Sequence, residues 1–334
     1  MRKPTGRLKG CDVALLVDEE VGERKGDGRF VLERGSMEAN VLKALTVRDL
    51  SAFVIPFDRH ITPTIEALRR ANPRLVFNLT EWLGGDRRHD SAIAAVLEIM
   101  ELRYTGTGPE GMHLARDKAL AKRIVADLGV EVPRHVVMNG RSSATSALNY
   151  PVIIKPQFGD GSDGIGNRAL AQNRTQLLQR IRSARRRSRD ALLCEEFIAG
   201  RDLFVALLGN EPRVMAPLEL VIGRSGIGAP RFATQSVKHD ASYRRRWAVR
   251  YRQAVLPAAV LMAIGDASRR IFRALKLRDY ARIDYRMTLD NRLVFLEANA
   301  NPDLTPHTFG RNVCFAGVAY PDLISGIVNA ALRR

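Results

Sequence analysis

Cysteine is nearly absent from this chain: Cys11, Cys194 and Cys314 are the only three in 334 residues. An odd number at such wide spacing builds neither a disulfide framework nor a metal cluster, and a reducing, cytoplasmic setting is expected. No apolar run approaches the roughly 20 residues that a membrane-spanning helix requires, so no membrane partner is expected. The basic start, Met1-Arg2-Lys3-Pro4-Thr5, lacks the apolar stretch and small-residue cleavage site of a secretory signal. Internal repeats and long low-complexity segments are absent as well. Acidic residues are in deficit, 36 against 53 Lys and Arg, for a net charge of +17. That excess invites a nucleic-acid reading. The basic residues are scattered, however, with tight clusters only at Arg185-Arg186-Arg187 and Arg244-Arg245-Arg246, and no basic stretch alternates with aromatics for base stacking. Nucleic acid is therefore not expected as the partner. Attraction of anionic small ligands such as nucleotides is the better use of the charge.

What is present reads as a multi-unit globular protein. With 334 residues the chain exceeds one ordinary core, so two or three compact units are expected. Residues 11–18, 52–57 and 75–79 read as short buried strands, with helical apolar spacing at 37–45 and 91–100. This alternation predicts a parallel α/β unit over residues 1–110. A stretch of Gly and Pro at 105–109 closes it, and one helix is predicted over about 111–128, stopped by Gly129 and Pro133. A strand at 151–155, a helix near 174–189 and a strand at 192–197 place a second unit at 111–202. The third unit, 203–334, is strand-rich and α+β in character. It holds a long irregular arginine-rich segment at 222–256, a helix at 257–275 and a hairpin at 280–299.

The hairpin carries the densest chemistry. Ala281-Arg282-Ile283-Asp284-Tyr285-Arg286 is followed by Val294-Phe295-Leu296-Glu297-Ala298-Asn299. Alternation along a strand puts Arg282 and Asp284 on one face, and Glu297 and Asn299 on one face of the next strand. A two-residue turn at Asp290-Asn291, types that accept positive φ, would pair Leu289 with Arg292. Counting back sets Asp284 opposite Glu297 and Arg282 opposite Asn299. Facing carboxylates roughly 5 Å apart repel each other, and a divalent cation between or above them makes sense of the pair. Their oxygens and the Asn299 amide suit Mg²⁺, which commonly also binds substrate phosphates. Arg282, beside them, would stabilise charge on a transferred phosphoryl group or a tetrahedral intermediate. A merely solvated outer face of the sheet is the alternative.

Other residues extend the same theme. Lys155 ends an apolar strand, where it can present a point charge to phosphate. Gly159-Asp160-Gly161-Ser162-Asp163-Gly164 is spelled like a dinucleotide fingerprint, but it lies mid-chain after Lys-Pro and lacks the acidic residue about 20 positions on. It is not a Walker loop either, since no Gly-Lys-Ser/Thr follows. A glycine flap over phosphates fits better, with backbone N–H groups around Gly161 and the Ser162 hydroxyl as donors. An ordinary surface turn is the alternative. Glu195, Glu196, Phe197 and Ile198 follow a buried strand, where the leaving chain offers backbone groups to an adenine, and Asp202 could bind ribose hydroxyls.

Taken together, Asp117-Lys118, Val152-Ile153-Ile154-Lys155-Pro156, Glu195-Glu196-Phe197-Ile198-Ala199-Gly200, Ala281-Arg282-Ile283-Asp284 and Leu296-Glu297-Ala298-Asn299-Ala300-Asn301-Pro302 resemble the D-alanine–D-alanine ligase family of the ATP-grasp superfamily. Leu97-Glu98-Ile99-Met100, Tyr104-Thr105-Gly106-Thr107-Gly108 and Leu304-Thr305-Pro306-His307-Thr308 are similar to further signatures, and the likeness covers about residues 75–330. The resemblance implies an ATP-grasp fold, an N-terminal α/β domain followed by two grasp subdomains with ATP between them. It implies that Lys118 and Lys155 meet the phosphates, that Glu195 to Ile198 receive adenine with Phe295 beside the nucleotide, and that Asp202 holds ribose where the family usually has Glu. Asp284, Glu297 and Asn299 would ligate two Mg²⁺ ions, with Mn²⁺ as a substitute. Phe232 to His239 matches the family's mobile loop over the γ-phosphate, with Lys238 as its lysine. His239 stands where dipeptide ligases carry Tyr and is similar to the His of vancomycin-resistance ligases that accept a hydroxy acid. Arg282, Lys238 and Ser162 would act on the reacting groups, and Thr308, His239 and Asp303 on the substrates.

The acceptor half departs from the family's pattern. Its first-domain glycine-serine motif with a Glu is absent, leaving Glu33 and Glu38 as candidates for that role. Asp303 takes the position of an oxyanion-hole glycine, and Thr308 that of a serine for the second substrate's carboxylate. The implied reaction is ATP-dependent: one carboxylate attacks the γ-phosphate in line, and the amine of a second substrate displaces phosphate from the acyl-phosphate. Amino acids or small peptides are the expected substrates, and a homodimer is compatible with the sequence. A dedicated peptide or hydroxy-acid ligase and a non-catalytic ATP-binding regulator remain alternatives.

Overall fold

The computed structural model describes residues 13–57, 60–82, 86, 89–138, 147–159, 166, 169–187, 190–226, 228–306 and 309–334. Strand β1 (Val13–Asp18) is buried along its whole length, which suits the centre of a parallel sheet. β4 (Ala52–Phe57) and β5 (Leu75–Asn78) flank it in parallel, in the order β4-β1-β5. Between β1 and β4 come a small hairpin, β2 (Gly22–Arg24) with β3 (Phe30–Leu32), and helix α1 (Met37–Val47). Ser36 starts α1 by accepting the Ala39 N–H at 3.1 Å. α2 (Ile61–Ala71) crosses from β4 to β5, and α3 (Asp90–Ile99) follows.

The next segment differs from the single helix predicted over 111–128. Two helices form, α4 (Pro109–Arg116) and α5 (Lys118–Asp127). Asp117 leaves helical geometry at φ −74° and ψ 93°, and its carboxylate accepts the N–H groups of Ala119 and Leu120, both at 3.0 Å. A capping carboxylate thus starts a fresh helix, with Lys118 as its first residue.

A four-stranded antiparallel sheet follows in the order β6-β9-β7-β8: β6 (His135–Met138), β7 (Val152–Pro156), β8 (Leu170–Ala171) and β9 (Leu192–Glu196). Helix α6 (Arg174–Arg187) covers one face, burying Leu177 and Ile181 against Val152, Ile154 and Cys194. A six-stranded antiparallel sheet comes next. Its order is β13-β12-β10-β14-β15, with β11 on β10. These strands are β10 (Arg201–Leu208), β11 (Arg213–Val214), β12 (Leu218–Ile222), β13 (Val249–Gln253), β14 (Tyr280–Met287) and β15 (Leu293–Asn299).

The segment 222–256, predicted irregular, contains β13 and two short helices, α7 (Gln235–His239) and α8 (Ala241–Arg246). Each helix has a local signal: Thr234 Oγ1 accepts the Val237 N–H at 3.3 Å, and Asp240 accepts the Tyr243 N–H at 3.0 Å. α9 (Ala258–Ala274) packs on the sheet face that carries Val205, Ile283 and Phe295. The last helices, α10 (Phe309–Phe315) and α11 (Tyr320–Leu332), return to the N-terminal sheet. Leu323, Ile324, Ile327 and Val328 share one core cluster with Val13, Leu15 and Val17. No single helix among the described residues is long and apolar enough to cross a membrane.

Candidate active site between two antiparallel sheets

The chemistry gathers in a partly open cleft between the central and C-terminal sheets. Ile153, Lys155 and the segment from Glu195 to Ile198 form one wall. Asp202, Phe204, Asp284, Arg286, Leu296 and Glu297 form the other, and Phe232, Ala233 and Lys238 close a side. Phe197 and Phe232 meet across the cleft with ring centroids 5.7 Å apart.

The hairpin delivers the carboxylates by an unexpected route. Arg282 faces Asn299 and Asp284 faces Glu297, the register counted from a two-residue turn. The turn itself is longer: Asn291 N–H donates to the Thr288 C=O at 3.1 Å, and Asn291 is left-handed at φ 64°. Met287 therefore faces Leu293 and Tyr285 faces Phe295, one residue out of the counted register. A β-bulge at Leu296 restores the pairing before Glu297. One consequence corrects an expectation. Phe295, placed beside the nucleotide by resemblance, lies on the core face, fully buried and edge-on to Tyr285 at 6.3 Å. Leu296, the bulge residue, lines the cleft instead.

Cations surround these carboxylates. Arg282 grips Asp284 with two bonds, Nε to Oδ1 at 2.7 Å and Nη2 to Oδ2 at 3.0 Å, and its guanidinium lies 5.5 Å from the Phe204 ring centroid. Lys118 Nζ is 3.7 Å from Glu297 Oε2 and also donates to the Gly159 C=O. Burial alone would push the Glu297 carboxyl up, but Lys118, Lys155, Lys238 and Arg282 outweigh it and hold the group below the usual carboxylate range. Asp284 is raised: burial dominates, Arg282 offsets part of it, and the Glu297 charge opposite works against ionisation.

On the central sheet, Lys155 Nζ lies 2.6 Å from Glu195 Oε1, and Lys122 Nζ lies 3.1 Å from Glu195 Oε2. Lys122 also donates to the Leu296 C=O at 2.6 Å. Burial pushes the Lys122 ammonium down to about 8, an effect Glu195 counters only in part. Glu195 stays low despite its burial because both lysines favour its charge. Its side chain is thus committed to lysines. Glu196 is half-buried and accepts the Asn149 N–H at 2.8 Å, while Phe197 and Ile198 carry the strand's exit along the cleft. Asp202, expected at ribose, lies in the wall and pairs with Arg286 at 2.9 Å. Arg286 in turn lies 5.3 Å from the Phe197 ring centroid.

The remaining candidates are more dispersed. Asn299 is half-buried and directs its amide to the Arg282 C=O at 3.5 Å. Asp303 is exposed and accepts the Thr305 N–H at 2.7 Å. Gly161, Ser162 and Thr308 lie outside the described residues, as does the side chain of His239. Glu38, at the start of α1, is buried, and its carboxyl is raised by burial first, with Asp303 and Glu33 adding repulsion.

Comparison with known proteins decides the family. The model of the D-ala D-ala ligase C-terminus matches residues 129–329. A D-alanine–D-alanine ligase of Halalkalibacterium halodurans is 30% identical over 75% of this chain and 81% of its own. The chain belongs to the D-alanine–D-alanine ligase family. Its class is that of the ATP-dependent ligases that form carbon–nitrogen bonds, built on the ATP-grasp fold. An uncharacterized protein of Sinorhizobium fredii is 31% identical over 90% of this chain and 89% of its own. Among solved structures, the D-alanine–D-alanine ligase of Bacillus anthracis complexed with ATP superposes with a TM-score of 0.74 at 16% identity, covering 97% of this chain and 98% of that one. The VanG D-Ala:D-Ser ligase of Enterococcus faecalis gives 0.70 at 17% identity, covering 96% and 99%.

Within this family member, Lys122, Phe204, Arg286 and Leu296 were not singled out from the sequence. Alternation along β14 puts Arg286 on the face of Arg282 and Asp284, a signal that was available. Lys122 offered none: a lysine on a helix usually reads as a solvated residue.

Proposed function

We propose that the chain joins the carboxylate of one amino acid or short peptide to the amine of another, at the expense of ATP, through an acyl-phosphate. The observation that carries this reading is the gathering of Lys118, Lys155, Lys238 and Arg282 around the facing pair Asp284 and Glu297, which line the cleft with Lys155 and Lys238. A triphosphate needs such cations, and the reaction consists mainly of positioning and charge neutralisation.

Among the described residues no three His, Cys, Asp or Glu side chains converge as a metal cluster. The two facing carboxylates, with the Asn299 amide two residues beyond Glu297, are a hard oxygen set that fits Mg²⁺. When bound, Mg²⁺ would neutralise phosphate charge there. Lys118 and Lys155 orient the phosphates, and Lys238 approaches from α7 at the side of the cleft. Arg282 stabilises the charge that grows on the transferring phosphoryl oxygens and then on the tetrahedral carbon. Phe197, Ile198 and Leu296 supply apolar contact for the base. Glu38, near Asp303 where the N-terminal unit meets the segment after β15, supplies negative charge for a substrate ammonium.

Phosphate release should be followed with ATP and Mg²⁺ across paired D- and L-amino acids. The reading expects release that depends on both partners. Glu297→Gln keeps the shape but removes the charge, and turnover should fall by about a thousandfold or more, the scale of losing a main electrostatic element. Undiminished turnover in that variant would remove Glu297 from the metal set.

A further inference from the structure

Lys118 and Lys122 lie one turn apart on the same face of α5. An ammonium that is wholly buried is strongly unfavourable unless it is paired. Lys122 is 0% exposed, and its partners come from two different sheets, Glu195 on β9 and the Leu296 C=O on β15. We propose that Lys122 is a positioning residue for the nucleotide: by taking one oxygen of Glu195, it leaves Lys155 with net positive charge to present to the phosphates. This rests on the reading of the cleft as an ATP site.

The charges around Glu195 support it. Lys155 sits 2.6 Å from Glu195 Oε1. A lone lysine–glutamate pair is neutral and offers little to an incoming phosphate. With Lys122 on Oε2, the three side chains carry two positive charges and one negative. Each Glu195 oxygen lies within ion-pair distance of a lysine, which favours its place beside Lys155 over a swing into the phosphate path. The bond to Leu296 adds a mechanical link, because Leu296 is the bulge residue that precedes Glu297. One ammonium therefore ties α5, the central sheet and the metal-binding strand together.

Calorimetric titration of ATP with magnesium chloride into the full chain tests this without turnover. Lys122→Met should raise Kd by about tenfold or more, since truncating one partner of a buried charge group is costly. Lys122→Met combined with Glu195→Gln should return to within about threefold of the wild type, because Lys155 again stands without a neutralising carboxylate. A packing role alone makes the double variant at least as weak as the single one. Wild-type affinity in Lys122→Met, or a double variant as weak as Lys122→Met, would overturn the proposal. Should Lys122→Met fail to fold, Lys122→Gln, which keeps a donor for Leu296, takes its place in the same comparison. A wild-type chain that binds no ATP overturns the ATP-site reading itself, so the two failures are distinguishable.

Discussion

Asp18 ends β1 with a carboxylate that accepts the N–H groups of Glu81 at 2.9 Å and Trp82 at 3.4 Å. Burial outweighs these two bonds, Glu20 and Glu38 add repulsion, and the pKa is pushed up to about 6. In the unfolded chain the same group titrates near 3.9. The folded state thus holds this proton more tightly, and the ionised form destabilises the fold at neutral pH. Stability should rise by about 1 kcal/mol from this residue as pH falls from 7 to about 5. Glu195 and Glu297, held low, oppose this only when pH approaches their unfolded values near 4.3. Urea unfolding at the two pH values checks the claim. Asp18→Asn should flatten its share of the rise, leaving the smaller same-sign effects of the other raised carboxyls, Glu38 and Asp279 among them. An undiminished rise in Asp18→Asn would assign the effect elsewhere.

The β14–β15 hairpin shows how much of the site was legible at the level of elements. Strand alternation correctly put Asp284 opposite Glu297, yet the turn has one residue more than counted and the bulge at Leu296 removes the discrepancy. Two compensating irregularities left the Asp284–Glu297 end in register. Neither has a strong local signature, because a bulge is a cross-strand event and Asn suits both kinds of turn. The same limit hid the break at Asp117, where a carboxylate inside a helical pattern turns out to cap a second helix. Lys155 and Glu297 stood out from their local setting in the sequence, and Lys118 only through the family resemblance. Lys122 was not, since its burial depends on two sheets remote in sequence. The turn supplies its own test. Asn291 adopts φ 64°, a conformation glycine takes without strain and a β-branched residue resists. Asn291→Gly should hold stability within about 0.5 kcal/mol, and Asn291→Val should lower it by about 1–2 kcal/mol. Thermal unfolding of the two variants side by side gives the comparison. Equal melting temperatures would mean that the turn relaxes to another geometry.

At the scale of the whole molecule, the N-terminal sheet and the C-terminal helix form one core. The sequence pattern divides the protein into consecutive units, but α11 packs on α1 and the N-terminal sheet as well as on β10. Arg334 reinforces this closure by donating to the Tyr104 C=O at 2.6 Å and pairing with the fully buried Asp279 at 3.2 Å. The central sheet is built differently, around its own cluster of Val152, Ile154, Leu177 and Cys194. Removing α11 should therefore damage the parts unequally. Leu323, Ile324, Ile327 and Val328 are all fully buried, and exposing them forfeits about 6–12 kcal/mol at about 1.5–3 kcal/mol each. That is comparable to the whole stability of an ordinary domain, about 5–15 kcal/mol. A chain ending at Gly317 should lose the N-terminal sheet, while the central sheet keeps its own core. Limited proteolysis read by mass spectrometry distinguishes the outcomes: early cleavage within residues 13–100 with protection of residues 147–200 is expected. Equal protection of both segments would show that the N-terminal sheet stands without the C-terminal helix.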